Sequence, residues 1–381
     1  MSHWFEYFPG NFMWSQGIAF AVEMAPWGAA ALGEVDQVGQ RLRGREGDND
    51  AWWSEWSIMA DRLERWADAE AARGHQLTAG SLYLRAATYH FCGERFLPPD
   101  ERKLGSYRRC LHCFAEGARR RYPTLERVEV PYEGTTLPAY FLRAEGADGR
   151  APAVAFFDGL DNAKELSVLF GGVELARRGV STLAIDGPGQ GETLRLRGIP
   201  SRHDYEVPAR AAFQYLAARS DVDPARIGLM AFSMGGYYAP RAAAFERRFK
   251  LCVAWGGHFD YHAAWVRRRQ LMEAGGTRVS APGFQLPWVL GVPDMDAAMT
   301  KLKDYTLEGI ATQIECPFLV VHGENDTIVP VEYARRLHEA AGARVKELRI
   351  FTAEEGGSEH CQEDNRQIGA HFVADWIADH I

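Results

Sequence analysis

Cysteine is scarce: six residues in 381, at positions 92, 110, 113, 252, 316 and 361, with no regular framework. That pattern excludes a disulfide scaffold and fits reduced thiols. Cys110 and Cys113 have CxxC spacing, but no second CxxC follows to complete a zinc set, and inside a helical pattern such a pair simply shares a face. Core packing is the expectation for both, and no metal site is expected. Basic tracts are also missing, and the formal net charge is −8, which argues against a nucleic-acid surface. Residues 1–10 lack the basic start and apolar core of a signal peptide. The most apolar region, Phe12 to Gly33, is broken by Glu23 and Pro26 and does not read as a membrane span. A cytoplasmic protein is therefore expected, with no membrane and no nucleic acid among its partners. Internal repeats and low-complexity segments are absent.

What remains is ordinary globular material. With 46% hydrophobic and 25% charged residues, 381 positions are enough for two or three units. Residues 1 to about 120 read as helical throughout. Asp50 to Arg73 carries Trp52, Trp53, Trp56, Met59, Leu63 and Trp66, largely at three- and four-residue spacings. Thr78 to Phe96 repeats the pattern until Leu97-Pro98-Pro99, and a third helix runs on to about Arg121 before Tyr122-Pro123. Most of these aromatics read as core; a minority could line a cleft for a ring-bearing ligand.

From Glu126 the period shortens. Val128 and Val130, then Leu137 to Leu142 across Glu133-Gly134, read as a hairpin. Strands Pro152–Phe157, Ser181–Ile185, Ile227–Phe232, Leu251–Trp255, Pro317–His322 and Glu347–Phe351 then alternate with helices Leu166–Arg178, Tyr205–Ala217, Gly235–Arg247, Pro330–Ala341 and Arg366–His380. The expected fold is α/β: an eight-stranded, mostly parallel, doubly wound sheet over residues 125–381, preceded by a helical domain over 1–124. About sixty residues separate Trp255 from Cys316, far more than a loop requires. Helices over 261–275 and 294–310 are expected there, in an insertion spanning about 257–311 over the carboxyl ends of the strands, where open α/β sheets bind ligands.

The chemistry centres on Ile227-Gly-Leu-Met-Ala-Phe-Ser233-Met-Gly-Gly-Tyr. An apolar strand, a serine between small residues and a helical start make a nucleophile elbow, a tight strand-to-helix turn that lifts a serine hydroxyl above the sheet. Ala231 and Gly235 occupy the two places where the turn requires small residues. A serine needs a base, and the base needs an orienting acid. In the α/β-hydrolase order the acid comes next and the histidine last, each after a strand. Phe318 to His322 leads into Gly-Glu-Asn-Asp326, and the loop beyond Phe351 reaches His360. Taken alone, Asp326 could be a turn or capping residue and His360 a surface histidine, but neither reading explains all three positions together. Glu324 is the weaker alternative acid, since the G-x-x-D spacing favours Asp326. Oxyanion donors are expected from the backbone N–H of Met234 and from Leu160, with Gly159 as the alternative. Asp158, His258, Asp260 and Tyr261 are candidates for substrate recognition. Asp186-Gly-Pro-Gly-Gln-Gly-Glu192 lacks the Lys-Ser/Thr of a P-loop and reads as a structural turn, and Lys164-Glu165 reads as an ion pair.

Phe157–Glu165, Asp186–Glu192, Val222–Gly228, Ser233-Met-Gly-Gly-Tyr-Tyr and Glu359-His360-Cys361 together resemble one branch of the α/β hydrolases. It is the branch of 2,6-dihydroxypseudooxynicotine hydrolase, the fungal polyketide-shortening hydrolases of the yellowish-green-1 type, and FrsA-like esterases. The similarity runs over most of the chain. It implies a Ser233, Asp326, His360 triad, no metal or organic cofactor, a small-molecule substrate in a cleft between the helical domain and the core, and a homodimer. Family chemistry includes hydrolysis of a carbon–carbon bond beside a ketone as well as ester hydrolysis. Asp158 departs from the glycine common at its place in the oxyanion-loop motif, and the insertion from Gly256 matches no motif of the branch.

The expected function is a serine-dependent hydrolase of a carbonyl compound, acting through an acyl-enzyme on a C–C or ester bond of an aromatic or polyketide-like substrate. An acyltransferase or cyclase on the same triad is the second reading. A catalytically silent binding protein is the third, and the intact triad speaks against it.

Overall fold

The computed structural model describes residues 5–273 and 280–381. They separate into two compact units: residues up to Leu125 with 280–282, and Glu126–Glu273 with Gly283–Ile381.

The first unit holds helices α1 (Phe12–Val22), α2 (Leu32–Leu42), α3 (Asn49–Ala72), α4 (Gln76–Glu94) and α5 (Glu101–Arg121). Side-chain caps start three of them. Asn11 accepts from the Trp14 amide, Asp48 from Ala51, and Asp100 from Arg102 and Lys103, each satisfying an orphan N–H of a first turn. The apolar face of α3 carries Trp52 and Trp56 inward, where both are fully buried. Trp52 meets Trp14 at 5.0 Å and Trp56 at 5.7 Å, and Trp56 meets Tyr89 at 5.3 Å. These tryptophans form a core, whereas Trp66 is exposed. Cys110 and Cys113 also point into the packed face of α5, as free thiols.

The second unit is built on one eight-stranded sheet: β1 (Leu125–Tyr132), β2 (Thr135–Leu142), β3 (Ala151–Phe157), β4 (Ser181–Ile185), β5 (Val222–Phe232), β6 (Cys252–Trp255), β7 (Phe318–Gly323) and β8 (Lys346–Phe351). Their order is β1-β2-β4-β3-β5-β6-β7-β8. β2 runs antiparallel to β4, and every pairing from β4 through β8 is parallel. β3 and β4 are buried at every position, as expected of strands covered on both faces. Helices α6 (Lys164–Ser167), α7 (Val173–Ala176), α8 (Gly191–Arg195), α9 (Glu206–Ala217), α10 (Gly235–Phe245), α11 (Tyr261–Glu273), α12 (Gln285–Leu290), α13 (Met295–Lys301), α14 (Val331–Ala340) and α15 (Arg366–His380) follow.

Two expectations need correction. The helix expected over Leu166–Arg178 is interrupted by a wide π turn at Val168–Gly172. The turn brings Gly171 against the sheet, where a Cβ would lie 2.5 Å from the Phe156 ring, and aims Phe170 at Phe156 and Trp255. The helix expected over 294–310 is only α13 plus a single 3-10 turn at Leu302–Asp304. The chain then turns extended, because Thr306 bridges Asp260 and the buried Tyr305 accepts the Tyr261 amide at 3.0 Å. Of the helix expected over 261–275, the last two residues lie outside the described ones.

Candidate active site

Ser233 follows β5 directly and sits at φ +59°, a left-handed conformation that costs a residue with a Cβ about 1–3 kcal/mol. The turn is held on both sides. The Ser233 amide donates to the Trp255 carbonyl at 2.8 Å, and the Gly236 amide returns to the Ser233 carbonyl at 2.7 Å. A Cβ on Gly235 would lie 2.6 Å from that of Ala231. The small residues flanking the serine are thus a packing requirement.

The three residues placed by strand ends come together. Ser233 Oγ lies 2.8 Å from His360 Nε2, and His360 Nδ1 lies 2.7 Å from Asp326 Oδ2. With the imidazole proton on Nδ1 directed at Asp326, Nε2 is left to accept from the hydroxyl. The other Asp326 oxygen accepts from the Ile328 and Val329 amides at 2.8 and 2.7 Å. Burial alone would raise the Asp326 pKa, but His360, His322 and the Val329 amide together hold it below the usual carboxylate value. Burial likewise works against a charged His360, yet Asp326 and then Cys361 outweigh it and raise its pKa well above the ordinary value. Glu324, the alternative acid, accepts instead from the Ala353 amide at 2.6 Å.

Several supporting residues carry no sequence signal. Asp364 gathers the amides of Gly357, Ser358 and Glu359 at 2.8, 2.9 and 3.0 Å, fixing the loop that presents His360. His322 donates to the Val329 carbonyl at 2.9 Å and lies 3.4 Å from Asp326. Cys361, at φ +50°, directs its thiol to the Trp255 carbonyl at 3.5 Å and lies 3.6 Å from His360 Nε2.

Among the described residues, neither the Met234 nor the Leu160 amide donates to a backbone carbonyl. Gly159 presses on the serine, so that a Cβ there would lie 2.7 Å from the Ser233 Cβ. The insertion holds this loop as well, since buried Gln285 donates to the Leu160 carbonyl at 3.2 Å.

The four recognition candidates are placed differently. Asp158 is fully buried, and its carboxyl faces Asn162 and Ser167 rather than an opening. Asp260 caps α11 through the Ala263 amide at 2.8 Å. His258 and Tyr261 pack ring against ring at 4.8 Å. Burial, with His360 nearby, drives the His258 pKa down to about 3, so its imidazole is neutral. Tyr261 continues to Trp265 at 6.4 Å, and a cavity of about 480 Å³ opens there, lined by Trp265, Met295 and Met299 with Arg269, Glu273, Asp294 and Asp296.

Lys164 is buried among Glu165, Asp186 and Glu192 at 2.7, 2.9 and 3.0 Å, an ion-pair cluster that ties α6 to the Asp186–Glu192 turn. In the first unit, Glu64, His90 and Cys113 bring one donor atom each within 4.8 Å. Arg109 already neutralises that cluster, pairing with Glu64 and with Asp61.

Residues 173–381 match the prolyl oligopeptidase family. The 2,6-dihydropseudooxynicotine hydrolase of Paenarthrobacter nicotinovorans is 31% identical to the chain, covering 94% of it and 92% of the relative. The chain is an α/β hydrolase of the prolyl oligopeptidase family. This hydrolase is also 26% identical to the 20-hydroxy-prefusarin hydrolase of Gibberella moniliformis, over 92% of each chain. The crystal structure of 2,6-dihydroxy-pseudo-oxynicotine hydrolase resembles the hydrolase with a TM-score of 0.77 at 28% identity, over 94% of this chain and 95% of that one. The likeness therefore includes the helical region ahead of the sheet. Among the described residues no helix is long and apolar enough to cross a membrane.

Proposed function

We propose that this hydrolase cleaves a carbonyl compound through a covalent acyl-Ser233. The observation that carries the reading is the unbroken line of two short contacts, Ser233 Oγ to His360 Nε2 at 2.8 Å and His360 Nδ1 to Asp326 at 2.7 Å. As the Ser233 oxygen bonds to the substrate carbonyl carbon, its proton passes to His360 Nε2, and Asp326 steadies the imidazolium that forms. The carbonyl oxygen takes up negative charge between the Met234 and Leu160 amides, where such donors are worth about 10²–10³ in rate each. Return of the proton to the leaving carbon or oxygen releases the first product, and water then repeats the sequence on the acyl group. Either an ester or a bond between a carbonyl carbon and a stabilised carbanion fits this chemistry.

An aromatic or polyketide-like substrate is supported by the run of rings from His258 through Tyr261 to Trp265 and by the adjoining cavity, where Trp265, Met295 and Met299 form the apolar part of a wall that also carries four charged residues. The names of the relatives agree, since they speak of a pseudooxynicotine and a prefusarin. The supporting elements of the site all come from one unit of one chain, and a homodimer is part of the proposal only through the family resemblance. Treatment of the folded protein with a fluorophosphonate, followed by peptide mass spectrometry, tests the nucleophile. Exclusive labelling of Ser233 is expected, and an unlabelled, folded protein would overturn the reading. Product analysis on β-diketone and ester pools then separates hydrolysis from acyl transfer or cyclisation.

A further inference from the structure

Asp158 has no part in the proposed reaction and no access to solvent, yet it heads the loop that carries the Leu160 amide. Its Oδ1 accepts from Asn162 Nδ2 at 2.7 Å and from Ser167 Oγ. Its Oδ2 has no partner among the described residues, and neither does Asn162 Oδ1. These two leftover atoms belong to the same pair of planar groups that the Asn162–Asp158 bond already joins. Both are acceptors while Asp158 is ionised, and two buried acceptors cannot satisfy one another. One proton on Oδ2 changes that. The acid then donates to Asn162 Oδ1 while Asn162 Nδ2 donates to Oδ1, closing an acid–amide ring.

The surroundings favour the neutral form. Burial is the largest influence, and the nearby Asp186 and Glu165 carboxyls add to it, raising the Asp158 pKa to about 8 against the pull of Ser167 and Asn162. The cation of that neighbourhood, Lys164, is already shared among Glu165, Asp186 and Glu192, and the Tyr205 phenol packed behind is neutral.

We propose that Asp158 is a neutral carboxylic acid that latches the oxyanion loop over Ser233 through an acid–amide ring with Asn162, and that mild alkali opens the latch. The role is a positioning one and rests on the reading of 158–161 as the oxyanion loop. The loop has little slack to absorb the change. Gln190 grips the Asp158 carbonyl, and a Cβ on Gly235 would lie 2.9 Å from that same oxygen. In alkali the Oδ2–H bond breaks, its electron pair stays on Oδ2, the proton goes to solvent, and the ring opens.

The test is infrared difference spectroscopy of the full-length Ser233→Ala protein against Ser233→Ala/Asp158→Asn. A protonated-carboxyl carbonyl band is expected in the first near neutrality, lost as pH rises through about 8, and absent from the second. In parallel, fluorophosphonate labelling is followed against pH in wild type and Asp158→Asn. The asparagine keeps a donor and an acceptor for Asn162 but cannot titrate. The ratio of its labelling rate to that of wild type is expected to rise about tenfold by one unit above the midpoint. Should Asp158→Asn fail to fold, Asp158→Ser serves the same comparisons with an O–H donor in place. No protonated-carboxyl band assignable to Asp158, or an alkaline fall shared equally by the variant, overturns the proposal. Absence of any labelling at Ser233 would instead overturn the function, while leaving the infrared result to decide this one.

Discussion

A Cβ on Gly236 would lie 2.0 Å from the carbonyl oxygen of Gly256. The first turn of α10, which follows Ser233, therefore runs with its backbone against the loop leaving β6. Backbone atoms on both sides leave no flexible side chain to move aside. Gly236→Ala is expected to cost at least the roughly 1–3 kcal/mol of ordinary overpacking. A lowered melting temperature together with loss of hydrolysis would register it, and unchanged melting would refute it.

Ser233 occupies left-handed backbone that a glycine adopts freely. Ser233→Gly is expected to abolish hydrolysis while stabilising the fold by about 1 kcal/mol, a gain read from urea unfolding. Ser233→Ala keeps the Cβ, so it is expected to lose activity without that gain.

Asp326→Asn removes the charge that orients and sustains the His360 imidazolium. A fall of roughly 10⁴ in kcat is expected, as when a triad acid becomes an amide. The pH profile gives a second readout. Because His360 in the folded protein keeps its proton above the ordinary histidine range, the acid limb of kcat/KM is expected above 6.5, and the variant's limb lower. The same shift gives a stability term with a definite sign. The His360–Asp326 pair contributes fully below the unfolded histidine value and loses that contribution as pH rises through the raised folded one. Unfolding of wild type against His360→Gln across that window measures it.

Lys164→Met leaves Glu165, Asp186 and Glu192 facing one another without their shared cation. About 3–5 kcal/mol of destabilisation is expected near neutrality, the usual result of stranding buried charge. The deficit should shrink in mild acid, where Glu165, whose pKa burial already raises, takes up a proton. Chemical unfolding at the two conditions compares them, and a pH-independent deficit would count against the electrostatic cause.

The fold and the three aligned residues were legible because each is announced locally. A short apolar run, a nearby glycine and a polar side chain beyond the strand's exit recur at Ser233, Asp326 and His360. The supporting residues are not announced. Asp364 looks like any loop acid until it folds back on three amides, and His322 reads as the last residue of an apolar strand. Gln285 reaches the Leu160 carbonyl from 125 residues away in the chain. Asp158 was visible as an oddity, but its burial depends on α6 and the Asp186 turn closing over it, which no local pattern encodes. The interrupted helix at Val168–Gly172 was hidden for a related reason: the sheet behind Gly171, rather than helix propensity, decides its geometry.

The Trp255 carbonyl receives both the Ser233 amide and the Cys361 thiol. One peptide plane therefore serves as the datum from which Ser233 and the segment carrying His360 are both measured. A displacement of β6 moves the two together, as common-mode motion, and leaves the Ser233–His360 separation nearly unchanged. The same segment is referenced a second time to the next strand, where the Asn325 amide donates to the Ser358 carbonyl at 2.9 Å, so His360 is also located against Asp326.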